Sequence, residues 1–337
     1  MPTLHDVGRA AGVSIATVSA TLNQTAYVSP ALQERVRKAV AEVGYHPDAI
    51  ARSLKTRTTK TLGLIISDIS NPFFTSVIRG IEDVANARGY TLVLCNTDER
   101  LEKERAYVQL LRSRRVDGVI MAPVGGAEDY IDFDAAVGAP VVFIDRRVPA
   151  RADVVVVDNA HGAREVIRHL IGFGHRRIGV ITGLPKISTT EERLAGYQSA
   201  LQEAGLPSDP ALLKVGYSRL EGGHQAAQEL LAMASRPTAI FATNNLMTIG
   251  LMRAVAERGL RCPDDISVAC FDDFEWASVF HPRLTTVAQP TYEMGSKAAE
   301  FLLTRLNGSS IAEPQTCVLA PTLVIRDSCT APPREGA

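Results

Sequence analysis

Polar and aromatic side chains follow the short apolar runs of this 337-residue sequence, and their types suit binding rather than bond breaking. They occur at residues 67–74, 145–147, 158–159, 188–193, 244–245 and 272–276. Carboxylate, amide and guanidinium groups bind hydroxyls or carboxylates, and aromatic faces stack on C–H surfaces. Because open parallel sheets bind ligands beyond the carboxyl ends of their strands, this pattern predicts a cleft for a small polar or polyhydroxylated ligand.

Each of these residues has a structural alternative when it is taken alone. Asn and Asp also cap helices, Arg193 is also suited to a surface ion pair, and Phe73 or Trp276 also fits a core. The prediction of a cleft therefore depends on the repetition of the pattern after six runs.

The sequence lacks the motifs of common catalytic, cofactor and metal sites. It has no P-loop, HExxH, GxSxG or paired CxxC, and Gly172-Phe173-Gly174 falls short of a dinucleotide-binding motif. The five scattered cysteines argue against a disulfide framework or a zinc site and predict a reducing cytoplasm. We therefore expect no catalytic residue, cofactor or metal, and we interpret His175 as a structural residue of a surface-like turn.

The first 45 residues predict three short helices. Thr3 begins the first with a capping box, Gly12 ends it, Ser14 caps the second, and Ser29-Pro30 begins the third. Two helices joined by a glycine-containing turn and braced by a third are typical of a helix-turn-helix, whose second helix fits the DNA major groove. The alternative, from this pattern alone, is a three-helix bundle with no role in DNA binding.

Residues 46–58 predict another short helix, in which Leu54 lies among Arg52, Lys55 and Arg57. Such a leucine can insert between base steps from the minor groove while the cations contact phosphates. The alternative is that Leu54 packs on a neighbouring domain. The predicted DNA contacts are Thr3, Ser14, Ile15, Ala16, Thr17, Ser19, Ala20, Asn23, Arg52, Leu54, Lys55 and Arg57.

The charge distribution agrees weakly with this interpretation. Residues 1–60 carry eight basic and four acidic side chains, a net charge of +4, whereas the remainder carries −5 within a total of −1. A cationic amino-terminal segment on a mildly acidic body suggests that only this segment contacts a polyanion.

From residue 61 the chain alternates strand and helix patterns twice over. Strands are predicted at 62–66, 91–95, 118–121, 141–144, 178–182, 213–216, 239–242 and 266–270, and helices at 75–88, 101–114, 127–137, 160–173, 191–204, 221–234 and 247–258. This alternation predicts two doubly wound α/β lobes with parallel sheets. No apolar run approaches the roughly 18 residues of a membrane span, and the start of the sequence has no secretory signal pattern.

Several segments of the first sixty residues resemble the LacI/GalR (lactose/galactose repressor) family. They are LHDV at 4–7, AGVS at 11–14, ATVS at 16–19, LN at 22–23, GYHP at 44–47 and ARSL at 51–54. The resemblance implies that residues 47–60 contain a hinge helix formed on operator DNA, that Leu54 kinks the central base step, and that Ile15, Ala16 and Ala20 read bases. Ala20 and Asp48 depart from the family pattern. Since alanine cannot make a bidentate contact with guanine, we expect that half-site position to be read loosely or differently.

The resemblance continues through the body, in NPFF at 71–74, VDGVI at 116–120, GHRRI at 174–178, RLAGY at 193–197, PDDISV at 263–268 and LTTV at 284–287. It implies a periplasmic-binding-protein-like core. We expect a headpiece at 1–46, a hinge helix and linker at 47–60, a first lobe at 61–158 and 288–317, a second lobe at 159–287 and 318–329, and a disordered tail at 330–337. Asn245 and Cys270 depart from the family pattern.

Together, the loop residues and the resemblance give a set of expected effector contacts. They are Asp68, Phe73, Phe74, Arg146, Thr189, Arg193, Tyr217, Asn244, Asp272, Trp276 and Gln289. The resemblance further implies a cytoplasmic, nucleoid-associated homodimer on a pseudo-palindromic double-stranded operator, with a small-molecule effector controlling its affinity. We favour a sugar or sugar acid, while the residues leave open a nucleobase, an amino-acid-like ligand or no ligand. A solute-binding protein or an enzyme on the same two-lobed fold is the alternative, and neither explains residues 1–58.

Overall fold

The computed structural model describes residues 2–23, 25–45, 58–124, 137–148, 151–308 and 313–333. The chain divides into two compact units, Met1–Thr59 and Lys60–Ala337. The predicted hinge helix at 46–58 lies almost wholly outside the described residues, as does the predicted helix at 127–137.

The first unit contains the three predicted helices, which are α1 (Leu4–Ala11), α2 (Ile15–Asn23) and α3 (Pro30–Val43). The capping box is present, because the Thr3 hydroxyl accepts from the backbone N–H of Asp6 while the Thr3 N–H donates to the Asp6 carboxylate. Gly12 ends α1 at φ +63°, a left-handed conformation that glycine adopts without steric cost. Ser29 precedes α3 but its side chain makes no capping hydrogen bond, unlike the prediction.

A small apolar core and one long side chain hold this unit together. Val7, Ala11, Val18, Val36 and Ala39 are buried between the helices. The Arg35 guanidinium donates to the carbonyl of Ala11 at 2.6 Å, so α3 is tied directly to the turn between α1 and α2. Helix α2 is packed on the other two helices through Val18, its buried residue in this core.

The second unit consists of two α/β lobes, as predicted. The first lobe begins with β1 (Thr61–Ile66), α4 (Pro72–Ala87), β2 (Thr91–Asn96), α5 (Leu101–Ser113), β3 (Gly118–Met121), β4 (Val141–Ile144) and β5 (Asp153–Val157). The second contains α6 (Asn159–Gly172), β6 (Ile178–Thr182), α7 (Ser188–Glu203), β7 (Leu213–Val215), α8 (Leu220–Leu231), β8 (Ala239–Ala242), α9 (Asn245–Glu257), β9 (Ser267–Phe271) and β10 (Thr285–Ala288). Three further elements follow, α10 (Thr291–Leu306), β11 (Thr316–Leu319) and β12 (Thr322–Val324).

Each lobe is built on a sheet with six strands among the described residues. The first sheet has the order β11-β5-β4-β3-β1-β2 and is parallel throughout. The second has the order β12-β10-β9-β8-β6-β7, in which only β12 runs antiparallel. Apolar clusters cover both faces of each sheet, which is why the central strands read as continuous apolar runs.

The chain passes between the lobes three times, after β5, after β10 and after β11. The last passage follows Leu319, so the predicted boundary between residues 317 and 318 falls inside β11 and is two residues early. Returning helix α10 packs closely on α4. A Cβ atom on Gly295 would lie 2.1 Å from the carbonyl oxygen of Val77, and one on Gly80 would lie 2.2 Å from that of Tyr292, so only glycine permits this approach.

The chain beyond the last strand is held by His175. This histidine is fully buried, whereas we expected it near the surface, but its role is structural as predicted. Its Nε2 donates to the carbonyl of Thr330 at 2.9 Å, and its Nδ1 accepts from the Thr238 hydroxyl at 2.8 Å. The Thr330 N–H also donates to Ser267. The ordered core thus reaches at least Thr330, the first residue of the predicted disordered tail, while residues 334–337 lie outside the described part.

Along the described residues, no helix combines the length and apolar character needed to cross a membrane.

Candidate functional site

The second helix of the first unit presents a small, uncharged surface. Ile15 is 38% exposed, Ala16 is exposed, and Ser19 and Ala20 are half-buried. Such side chains suit apolar contact with a thymine methyl group better than bidentate hydrogen bonds to a base. The base-reading prediction for Ile15, Ala16 and Ala20 is sterically consistent with this surface and stays a prediction.

The other predicted DNA contacts of the headpiece are polar residues that also stabilise α1 and α2. Ser14 accepts from the backbone N–H of Thr17 at 3.1 Å, and their hydroxyls are 2.9 Å apart. The Asn23 amide donates to the carbonyl of Ser19 at 2.9 Å, and Thr3 caps α1. Sequence reasoning missed Tyr27, which is 90% exposed just beyond α2 and carries a hydroxyl able to donate to a phosphate. Arg52, Leu54, Lys55 and Arg57 lie outside the described residues.

The polar loops of the second unit surround one cavity of about 790 Å³ between the two lobes. It lies beyond the carboxyl ends of the strands, where open parallel sheets bind ligands. All eleven expected effector residues line it, namely Asp68, Phe73, Phe74, Arg146, Thr189, Arg193, Tyr217, Asn244, Asp272, Trp276 and Gln289. Their common location is a geometric result, and their role in binding remains to be tested.

Arg146 forms the most highly connected group on the first-lobe wall. It is 7% exposed and follows β4 directly. Its Nη1 and Nη2 atoms donate to the two carboxylate oxygens of Glu99 at 2.8 and 2.5 Å, a bidentate pair. The Nη1 atom also donates to the carbonyl of Pro123 at 2.8 Å. The guanidinium is therefore held by its own lobe before any ligand arrives.

Two acidic residues beside Arg146 have opposite titration behaviour. Burial alone would raise the pKa of Glu99, but the charge and hydrogen bonds of Arg146 outweigh this effect and hold the pKa below its usual value. Burial raises the pKa of Asp145 to about 6, and the Arg146 guanidinium reverses only part of that shift. Glu99 is thus firmly ionised, whereas Asp145 titrates near neutral pH.

Arg193 projects from α7 into the opposite wall and is held mainly by uncharged groups. Its Nε donates to the Asn159 side chain at 2.9 Å and its Nη1 to the carbonyl of Thr243 at 2.6 Å. The guanidinium lies 3.8 Å above the ring centroid of Phe271, a cation–π geometry. Its Nη2 is 3.9 Å from the nearer carboxylate oxygen of Asp272, a loose ion pair that leaves this edge directed toward the cavity.

Asp272 follows β9 at φ +74° and is 4% exposed. Burial raises the pKa of this carboxyl group, although Arg193 and a hydrogen bond from the Gln289 amide oppose the shift. The side-chain oxygen of Gln289 is buried and accepts no hydrogen bond from the described residues. It is available to a ligand hydroxyl.

Asn244 and the aromatic residues complete the lining. The Asn244 oxygen caps α9 by accepting from the N–H of Met247, and its amide donates to the carbonyl of Ser218. Phe73 and Phe74 are buried, with ring centroids 5.0 Å apart in an edge-to-face arrangement. Tyr217 and Trp276 are 54% and 55% exposed, so their rings can cover the apolar face of a bound molecule.

Direct hydrogen bonds connect the two lobes around the cavity. The buried Asn245 amide donates to the Asn71 side chain at 2.9 Å, and the Arg147 N–H donates to the Ser188 hydroxyl at 2.9 Å. Asn245, which departs from the family pattern, thus makes a direct contact between the lobes. Cys270, the other departure, is fully buried in a core cluster.

Sequence reasoning missed Glu99 and omitted Asp145 from the expected contacts. Asp145 lies in the polar segment at 145–147, and its position directly after β4 was the available signal. Glu99 gave no signal, because an acidic residue next to the start of a helix is ordinarily explained by the helix dipole. Only its hydrogen bonds with Arg146, 47 residues away, identify it.

Two family models match separate parts of the chain. Residues 3–48 match the bacterial regulatory proteins of the lacI family, and residues 167–329 match the periplasmic binding protein-like domain. These matches agree with the helix-turn-helix and the two-lobed core described above.

Relatives with assigned roles align over nearly the whole chain. The HTH-type transcriptional repressor PurR of Photobacterium profundum is 39% identical over 330 residues, which cover 97% of this chain and 98% of the relative. The ribose operon repressor of Haemophilus influenzae is 37% identical over 329 residues with the same coverage.

A solved structure of a related chain is similar to this one. The lac repressor dimer bound to operator and an anti-inducer superposes with a TM-score of 0.88 at 29% identity, covering 98% of this chain and 99% of that one. The chain therefore belongs to the lacI family of bacterial regulatory proteins and is a DNA-binding transcription regulator, not an enzyme.

Proposed function

We propose that this protein is a homodimeric repressor whose affinity for a pseudo-palindromic operator is controlled by a sugar or sugar acid bound between its lobes. The observation that carries this proposal is the convergence of eleven predicted effector residues on one interlobe cavity, in a chain that also has a helix-turn-helix. The family membership supports action on chromosomal DNA in the cytoplasm.

The lining chemistry supports a polyhydroxylated ligand. Asp145, Asp272, Asn244 and Gln289 offer carboxylate and amide groups, which exchange hydrogen bonds with hydroxyls, while exposed aromatic rings stack on C–H faces. The name of one relative, a ribose operon repressor, agrees with a sugar. D-Ribose is therefore the first ligand to test.

Coupling between ligand and DNA follows from the connectivity of the chain. A molecule that contacts both walls favours one relative orientation of the lobes, in competition or agreement with the Asn245–Asn71 hydrogen bond. The first lobe continues directly from the segment at 47–60, so we propose that its orientation sets the spacing of the two hinge segments in the dimer. A coupling of about 1–3 kcal/mol is typical, and it is reciprocal between the two ligands.

On the DNA, we propose that Ile15, Ala16 and Ala20 contact base edges and that Leu54 inserts into the minor groove. Arg52, Lys55 and Arg57 then contact phosphates, which contributes affinity without sequence information. Thr3, Ser14, Thr17, Ser19 and Asn23 complete the proposed surface.

The test begins with selection of a preferred sequence from random duplexes by the full-length protein. Fluorescence anisotropy then compares the selected and scrambled duplexes. Leu54→Ala should lower affinity for the selected duplex by about 2 kcal/mol, in line with the cost of unstacking a base step, and leave the scrambled duplex nearly unaffected. Arg57→Ala is the matched comparison, because loss of a phosphate contact lowers both affinities and reduces the salt dependence. Failure to select any sequence would contradict the proposed function.

A further inference from the structure

The cavity between the lobes contains a charge arrangement that bears on which ligands it accepts. We propose that Glu99 is a specificity-determining residue, which neutralises Arg146 and makes the site select a neutral sugar over the corresponding sugar acid. This inference rests on the proposed function, because it assigns the ligand class of the same site.

The first support is that the protein itself occupies both Nη atoms of Arg146, the edge that a bidentate carboxylate contact would use. Both Nη atoms donate to Glu99, Nη1 also donates to the Pro123 carbonyl, and Nη2 lies 3.5 Å from the Ser67 hydroxyl. The remaining Nε lies 3.5 Å from a carboxylate oxygen of Asp145. A ligand carboxylate would have to displace Glu99 to obtain a bidentate contact, and the displaced Glu99 would then be buried without its cation.

The second support is the overall balance of charge. Among the described residues that line the cavity, six carboxylates face four guanidiniums. Arg193, the other buried cation, already lies next to Asp272. An anionic ligand would enter a lining in which acidic side chains outnumber arginines, and repulsion from those that are ionised opposes its binding.

The third support is that a neutral sugar meets suitable partners without displacing Glu99 from Arg146. Its hydroxyls can donate to Asp145, Asp272 and the buried oxygen of Gln289, and accept from the edge of Arg193. Because the hydroxyls are neutral, their binding requires no unpaired cation in the site. The inference therefore divides the proposed ligand class into sugars, which the site accepts, and sugar acids, which it rejects.

Glu99→Gln isolates the effect, since glutamine keeps the size of the side chain and one acceptor oxygen but removes the charge. Arg146 then has one buried carboxylate less beside it, and a ligand carboxylate can take the place of the missing charge. Glu102→Gln is the matched control, because Glu102 lies three residues away with a side chain that is 80% exposed and outside the cavity. In the double variant Glu99→Gln/Arg146→Gln both charges are gone, so any gain in acid binding through Arg146 should disappear.

The experiment uses isothermal titration calorimetry on the full-length chain. The probes are D-ribose, D-glucose and D-galactose, together with D-ribonate, D-gluconate, D-glucuronate and D-galacturonate, each acid compared with its own amide. Acid and amide have nearly the same size and shape, and the amide removes the charge while replacing one acceptor oxygen with an NH2 donor. We expect the native chain to bind at least one neutral sugar, and to bind the amide of that skeleton roughly 100-fold more tightly than the acid. In Glu99→Gln this ratio should fall by roughly tenfold or more, through tighter binding of the acid.

Each further outcome has a distinct meaning. If a neutral sugar binds but the native chain takes the acid as tightly as the amide, or if Glu99→Gln leaves the ratio unchanged, the role of Glu99 is wrong and the proposed function stands. If none of the probes binds, both the proposed role of Glu99 and the proposed sugar-responsive function are wrong. Circular dichroism checks that Glu99→Gln is folded. If it is not folded, the ratio of amide to acid affinity measured for the native chain still tests the inference.

Discussion

The two walls of the cavity each contain a buried arginine, yet the surroundings of the two are opposite. On the first-lobe wall, Arg146 is paired at both Nη atoms with Glu99, an ionised carboxylate. On the second-lobe wall, Arg193 is held by an amide oxygen, a backbone carbonyl and an aromatic ring, with Asp272 only at 3.9 Å. The same residue type thus acts as half of a closed ion pair in one lobe and as an open donor in the other.

An arginine that is buried in the lining of a cleft is therefore not identified as a ligand contact by its burial and location alone. Both arginines were predicted to bind the effector, because both follow strands. Arg146 is paired with Glu99 on its own wall, whereas we propose that Arg193 keeps one edge for the ligand; the effector contacts of both stay predictions. The expected effects of substitution differ accordingly.

The largest expected effect concerns the closed pair. Arg146→Met leaves Glu99 buried without a cation and should lower the free energy of unfolding by about 3–5 kcal/mol, measured by urea denaturation. Arg151→Met removes an arginine whose pair with Glu313 is exposed, and should cost at most about 1 kcal/mol. The double variant Arg146→Met/Glu99→Leu should recover most of the lost stability. Equal, small decreases in the free energy of unfolding for Arg146→Met and Arg151→Met would show that the Arg146–Glu99 pair stabilises the fold no more than a surface ion pair.

The open donor should affect ligand binding more than folding. Arg193→Ala should weaken sugar binding by roughly 100-fold, because a charged hydrogen-bond donor to the ligand is lost. Arg168→Ala removes an arginine from a surface ion-pair cluster of the same lobe and should leave the affinity unchanged. Calorimetry with unaltered affinity in Arg193→Ala would place the ligand elsewhere.

Asp272 and Asp273 are adjacent, and their substitution should affect sugar binding and stability differently. Asp272→Asn should weaken sugar binding about tenfold by removing a charged acceptor, and yet leave the melting temperature equal or higher. The reason is that burial raises the pKa of Asp272, so its ionised form is unfavourable in the folded chain. Asp273→Asn should instead lower the melting temperature, because Asp273 is paired in bidentate fashion with Arg326. A matching loss of stability in both variants would contradict this assignment.

The expected effect confined to the narrowest conditions is a pH dependence from Asp145. Its folded pKa is about 6, above that of an unfolded aspartate, so the folded state binds more protons between about pH 4 and 6. The contribution of Asp145 to stability is present below this window and is lost as the pH rises through it. Asp145→Asn should therefore gain about 2 kcal/mol relative to the native chain between pH 4 and 7, since a rise of about two pKa units corresponds to about 2–3 kcal/mol. A constant difference between the two proteins across that range would contradict the raised pKa.

Much of the fold was predictable because its signals are local. Capping residues, the glycine that ends α1 and the buried strands were visible in short segments. The return of α10 to the first lobe was implied by the family resemblance alone, since its packing depends on Gly80 and Gly295 meeting distant backbone atoms. The early boundary at 317 has the same origin, because pairing of β11 with β5 is a long-range contact.

The sequence predicted which residues line the cavity better than it predicted what each of them does. Strand ends directed us to nine of the eleven predicted effector residues, because parallel topology brings those ends together, whereas Tyr217 and Gln289 came from the family resemblance alone. Glu99 escaped notice, since it becomes meaningful only opposite Arg146. Likewise, nothing in the sequence distinguishes the closed arginine from the open one.

We propose that a molecule bound between the lobes changes the affinity of the headpiece for DNA. The direct measurement is the affinity of the full-length native chain and of Arg193→Ala for the selected duplex, with and without the sugar that binds in calorimetry. A coupling of about 1–3 kcal/mol predicts a change of roughly 5- to 150-fold for the native chain, and none for the variant at the same sugar concentration. Equal operator affinity of the native chain with and without a saturating sugar would contradict the claim.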